Sequence, residues 1–223
     1  MTKKIYLIRG LKAESYYTFK DRMLLLTNKL TQQNTCKQVK VVLTENPPPA
    51  ISIIPFKKKK VAVISITYEK IFQDKEIKQS EGYTGTFEVT EALPVAYTKT
   101  WKDGEPTHGV CLLTLFNQKN NIDYSTFIDR WHNSHTPLSL KLHPLWHYNR
   151  NVVDQRDLDN TENWDGIVEE HFRTRAELLN PFKFFGNPLQ IIPNMIEVYR
   201  DTNSFLDYNT IEPYMAKEYF IKS

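Results

Sequence analysis

Glycine is scarce in this chain, 7 in 223 residues, and that shortage excludes a loop-dominated or disordered polymer. Cysteine is scarcer still. Cys36 and Cys111 stand far apart with no short spacing between them, which excludes a disulfide framework or a zinc knuckle and fits a reducing compartment. No apolar run approaches a membrane span, and the N-terminal Ile5-Tyr6-Leu7-Ile8 is too short for a signal peptide, so a cytoplasmic protein is expected. Neither sign of charge dominates: 29 basic and 26 acidic residues leave a net +3, too balanced to call for a nucleic-acid or membrane partner. The one concentrated run, Lys57-Lys58-Lys59-Lys60, has no aromatic residues for stacking on bases and reads as a solvated loop or a blunted strand edge. A Gly-rich phosphate loop, a serine nucleophile elbow and a dinucleotide-binding fingerprint are all missing. Nucleotide-dependent chemistry is thereby disfavoured, and no organic cofactor is expected.

What the chain does contain is enough bulk for a core, 40% apolar and 13% aromatic residues, and a repeat. Thr18-Phe19-Lys20-Asp21-Arg22-Met23 reads against Thr126-Phe127-Ile128-Asp129-Arg130-Trp131, with Thr, Phe, Asp and Arg matching at an offset of 108. Each block follows a strand-like run, Ile5 to Ile8 or Val110 to Phe116, and precedes another, Val39 to Leu43 or Trp146 to Val153. Near the ends, Phe87 to Glu91 and Tyr214 to Glu218 match as final strands at an offset grown to 127, so the second copy carries about 19 extra residues.

The second copy reads most clearly. His108 to Phe116 is nearly continuous in apolar residues, as in a strand covered on both faces. Asp123 is placed to cap a helix on which Phe127, Trp131, His135 and Leu138 share one face, with Pro137 marking an end or a kink. Trp146 to Val153 and Gly166 to Phe172 alternate as strands, Ala176 to Leu179 and Met195 to Leu206 are broken helical stretches, and Tyr214 to Ile221 closes the copy. The order strand, helix, strand, strand, helix, strand is that of a ferredoxin-like unit. The first copy follows it in worn form, with Val61 to Thr67 as its third strand and a short second helix within Ile71 to Gln79. A boundary in the turn-forming Trp101 to Pro106 gives units 1–104 and 105–223.

The pattern Phe127-x3-Trp131-x3-His135-x-Pro137-Leu138, followed by Tyr148, Asn151, Asp165 to Glu169 and Glu218-Tyr219, resembles the EthD family of the dimeric α+β-barrel superfamily. The likeness covers roughly Gly109 to Ile221. The first copy resembles the family only through the repeat, because Thr27 stands where His135 would be and Leu24 where His132 would be. The resemblance implies an α+β fold in which two four-stranded antiparallel sheets pair into a barrel, here both from one chain. A homodimer through another surface stays open.

His135 is the sharpest candidate for chemistry. On the apolar helix face it can move protons near neutral pH, or it can be a buried group capping the helix end. Tyr148 is the second, as a phenol that donates to a developing enolate or packs its ring in the core. These two are expected as the catalytic pair, with Trp131, Phe127, His132, Trp146, Asn151 and Glu169 around a bound ligand. Glu169 and His171 alternate together, as an acid/base couple or as an exposed strand face. Four histidines at 132, 135, 143 and 147 raise the question of a metal, but His143 precedes Pro144 in a turn and no Cys or acidic residue keeps ligand spacing with the helix pair, so none is expected. The expected partner is a small apolar or aromatic, polyketide-like molecule. The expected activity is cofactor-free proton transfer in a cyclisation, decarboxylation or dehydration; the alternative is a non-catalytic binding or protective protein using the same cavity.

Overall fold

A computed structural model describes residues 1–223 except Asn34. Eight strands close into one barrel: β1 (Thr2–Arg9), β2 (Cys36–Leu43), β3 (Val61–Tyr68), β4 (Tyr83–Val95), β5 (Val110–Phe116), β6 (Leu145–Arg156), β7 (Gly166–Phe172) and β8 (Glu212–Lys222). Around the barrel they run β1-β3-β2-β8-β5-β7-β6-β4, every ladder antiparallel. The first four make a sheet ordered β4-β1-β3-β2 and the last four repeat that order as β8-β5-β7-β6. The seams pair β2 with β8 and β4 with β6. Closure leaves no free sheet edge among the described residues to be blunted.

The repeated block emerges as a repeated helix start. Ser15 caps α1 (Tyr16–Leu30) by accepting from the Thr18 amide, and Asp123 caps α3 (Tyr124–Asp129) by accepting from the Thr126 amide, the same geometry 108 residues later. The halves diverge between their third and fourth strands. Residues 69–82 hold only α2 (Lys75–Lys78), whereas residues 173–211 hold α5 (Arg175–Leu179), α6 (Pro181–Phe184) and α7 (Ile191–Thr202). The extra length of the second half is therefore a helical cover over the outside of its sheet.

Period-two alternation sorts the strand residues into two cores. Ile5, Leu7, Val42, Val63, Phe87, Leu113 and Ile167 fill the barrel lumen. Their neighbours face outward: Tyr6, Ile8 and Val41 pack under α1 with Phe19, Met23 and Leu30, while Phe116, Tyr148 and Val168 pack under the second helix with Phe127 and Trp131. Gly166 opens β7 because a Cβ there would lie 2.4 Å from the Phe116 ring and 2.9 Å from the Trp131 ring. Gly166→Ala is expected to cost about 1–3 kcal/mol through overpacking, read as a shifted urea midpoint at unchanged slope.

One expectation about the second helix needs correction. Pro137 does not end it. The helix continues as a π-helical turn, Arg130–His135, and then α4 (Thr136–Leu142). Within the turn the Thr136 amide reaches back five residues to the Trp131 carbonyl, and the Thr136 hydroxyl donates to that same carbonyl at 2.9 Å. One extra residue per turn rotates everything beyond it. Thr136 and Ser139 take the buried positions that regular α-helical spacing assigns to His135 and Leu138, both of which are only partly buried. No helix among the described residues is long and apolar enough to cross a membrane.

Candidate functional site

Between the outer face of the second sheet and its helices lies a cavity of about 460 Å³, within the range usual for small-molecule sites. Its floor is sheet: Leu112, Thr114 and Phe116 of β5, Tyr148 of β6, and Val168 and Glu170 of β7. One wall is the second helix, through Trp131, His135, Ser139 and His143; α7 and the loop Ile53–Lys57 cover the rest. The lining is largely aliphatic and aromatic, so the few polar groups stand out.

The π-helical turn brings His135 to the edge of the helix facing α7. Its Nδ1 lies 2.7 Å from Oδ2 of Asp201, whose other oxygen accepts from the Ser134 hydroxyl at 2.5 Å. Burial pushes the Asp201 carboxyl up, but the bonds from His135 and Ser134 outweigh it and hold the group below the usual carboxylate range. An ionised Asp201 selects the tautomer with the proton on Nδ1 and leaves the Nε2 lone pair free. Ser139, one turn further along at the cavity wall, places its Oγ 3.1 Å from that Nε2.

On the floor, Glu170 has no hydrogen bond and no ion pair among the described residues. It is half-buried, its neighbours on the same outward face of β7 are Val168 and Phe172, and its opposite number on β6 is Tyr148. Loss of hydration raises its carboxyl to about 7 against smaller pulls from His135 and His171. Tyr148 is fully buried, and burial pushes its phenol well above the ordinary tyrosine range, so near neutral pH it is a proton-bearing wall and not a base. His143 donates from Nδ1 to the Phe184 carbonyl at 2.9 Å, stacks on the Phe184 ring at 4.0 Å, and is pushed down to about 4 by burial.

Of the eight residues singled out from the sequence, Trp131, His135 and Tyr148 meet at this cavity. The other five do not line it. Phe127 is fully buried beneath Trp131 as core. His132 turns its ring edge-on to Trp131, 5.4 Å away. Trp146 falls at a register shift in the β6 and β7 ladder, which breaks its parity with Tyr148, and it stacks instead on Tyr97 at 4.9 Å. Asn151 and Glu169 point through the sheet into the lumen. There Lys3 donates to Glu91 at 2.5 Å and to Asn151 at 2.7 Å, and Lys40 donates to Glu169 and lies 3.1 Å from Glu218. The alternating pair Glu169 and His171 is therefore no exposed face: both are buried with Lys40 and Glu218.

Glu170, Asp201 and Ser139 were not singled out from the sequence. Glu170 carried a readable signal, because strand parity puts it with Val168 on the face opposite Glu169. Asp201 carried none, being 66 residues from the histidine it orients. In the first half the corresponding helix position, Thr27, is fully buried and spends its hydroxyl on the Met23 carbonyl at 2.8 Å.

No family model matches the chain, and no curated protein sequence does. Solved structures do. A structure described as an anthrone oxidase-like protein matches with a TM-score of 0.60 at 8% identity, over 98% of this chain and 90% of its own. A putative monooxygenase from Fusobacterium nucleatum subsp. nucleatum matches with a TM-score of 0.53 at 10% identity, over 99% and 92%. These structures share the fold described above, a closed antiparallel α+β barrel. Here a single chain closes the barrel, and at these identities the likeness carries the architecture alone.

Proposed function

We propose that this α+β barrel is an EthD-like protein, built as two units over 1–104 and 105–223, that binds a small aromatic, polyketide-like compound in the cavity beside His135 and catalyses proton transfer on it without an organic cofactor. The observation that carries the reading is the Asp201–His135 pair: an imidazole held at Nδ1 by a half-buried carboxylate, with Nε2 turned to the Ser139 hydroxyl at the edge of an apolar cavity. That is the geometry of a general base. Trp131 and Phe116 supply flat apolar walls for a ring system, and Tyr148 supplies a protonated phenol beside it. The first unit acts as scaffold, closing the barrel while its own helix packs without a histidine.

The likeness of the fold to an anthrone oxidase-like protein suggests anthrone as the first compound to try. Anthrone is a flat tricyclic ketone with an acidic methylene. The chain is expected to accelerate exchange of that methylene with deuterium from solvent, followed by NMR, and His135→Ala to slow the exchange by about 100-fold or more while circular dichroism stays native. An unchanged rate in a folded variant would remove His135 from the chemistry. Saturable anthrone binding with no acceleration in the wild type would instead make this a binding protein.

A further inference from the structure

We infer that Glu170 is the second proton-transfer group of this cavity, acting as a general acid opposite His135, and that the substrate is a flat cyclic ketone whose carbonyl oxygen and acidic C–H lie on different edges of the ring system. The inference rests on the preceding reading of His135 as the base and adds a residue, a direction of proton flow and a substrate geometry.

Three observations carry it. Glu170 opens into an apolar cavity with no hydrogen-bond or ion-pair partner among the described residues, whereas the carboxylates buried in the lumen, Glu169 and Glu218, are both held by Lys40. An unpaired carboxyl in such surroundings is costly to ionise and keeps its proton, so it can give one away. It also stands on the sheet while His135 stands on the helix, so a planar molecule lying between them presents one edge to each. Finally, the titratable groups that share the cavity, Lys57, His135, His143, Tyr148, Tyr199 and Tyr208, include no second carboxylate to compete for the proton.

The step balances without an oxidant or a metal. His135 Nε2 takes the proton from a carbon conjugated with the carbonyl. The C–H electron pair moves into the ring system as a new C=C bond, and the carbonyl π pair takes the Glu170 proton to form the enol O–H. Glu170 is left as a carboxylate and His135 as an imidazolium, neutralised by Asp201. Return of the protons to the same carbon gives isotope exchange; return to another carbon gives isomerisation. In anthrone the methylene lies across the central ring from the carbonyl, which matches the two walls.

The experiment follows deuterium exchange into anthrone across pH 5–9 for the wild type, Glu170→Gln and His135→Gln, each checked for native circular dichroism. The wild-type rate is expected to fall above about pH 7, as Glu170 loses its proton. Glu170→Gln is expected to be slowed about 100-fold at pH 6 and to lose that fall. A folded Glu170→Gln variant with the wild-type rate and pH profile overturns the role of Glu170 while leaving His135 as the base, provided His135→Gln is slow. Equal rates in all three proteins overturn both readings. A slow Glu170→Gln variant that keeps the alkaline fall shows a structural role only, and overturns the acid assignment.

Discussion

Lys40→Met is expected to be the most damaging single substitution in the barrel, lowering stability by about 3–5 kcal/mol in urea unfolding at pH 7. Lys40 projects from β2 into the lumen, with its ammonium on the carboxylates of Glu169 from β7 and Glu218 from β8, both fully inaccessible to solvent. Burial alone lowers a lysine and raises a glutamate, yet the Coulomb attraction across this triad wins: Lys40 is held above the ordinary lysine range, and Glu169 and Glu218 below the ordinary carboxylate range. Removing the ammonium leaves two buried carboxylates a few ångströms apart without their lysine, and with only the His171 imidazole beside both. Lys3 does not replace it, because Lys3 is engaged with Glu91 and Asn151. Adding Glu169→Gln to Lys40→Met is expected to recover part of the loss, since it takes one of the stranded charges away. A cost below about 1 kcal/mol for Lys40→Met would mean that water or another cation already shields these carboxylates.

Acidification from pH 7 to pH 4 is expected to cost about 3 kcal/mol net, enough to bring a domain of ordinary stability close to unfolding. His143, against the Phe184 and Phe185 rings, and His147, in the lumen, are both pushed down to about 4, in each case chiefly by burial. The unfolded chain takes up their protons near pH 6.5 and the folded one only near 4. Their stabilising contribution is therefore complete above pH 6.5 and is lost as pH falls through 4, by up to about 3 kcal/mol each. Glu170 works in the opposite direction. Its carboxyl, raised to about 7, favours folding below the unfolded value near 4.5 and loses that contribution as pH rises through 7. It offsets about one histidine; the other remains, and the carboxylates held low, Glu169, Glu218 and Asp201, add a smaller loss as pH nears 4. His143→Phe is expected to flatten the loss between pH 6.5 and 4 in urea titrations repeated across pH. An unchanged slope would show that His143 reaches water in the folded state.

Much of the architecture was legible in the amino acids because it depends on local periodicity. Gly166 to Phe172 alternates and is β7; Asp123 caps where a helix was expected; the block repeated at an offset of 108 returns as two helices capped the same way. The expected α+β barrel of antiparallel strands from one chain is the one observed. His135 was legible as a residue of interest, since a histidine two turns from Phe127 on an apolar helix is conspicuous.

Its orientation was not legible. A π-helical turn depends on where the Trp131 carbonyl finds its donors and on Pro137 having no amide to give, and neither shows in hydrophobic spacing. The extra residue moved His135 off the core face and onto Asp201, which only the covering helix α7 brings near. Likewise, alternation separates Glu169 from Glu170 but does not say which face of a barrel is lumen and which is cavity. That assignment was decided by closure, when Lys40, 129 residues away in the chain, came to rest on Glu169 and left Glu170 facing the empty side of the sheet. The sequence alone thus determined most of the strands and helices and the place of His135 along them. The contact of His135 with Asp201 and the exposure of Glu170 to the cavity came from tertiary structure, because they depend on elements far apart in the chain.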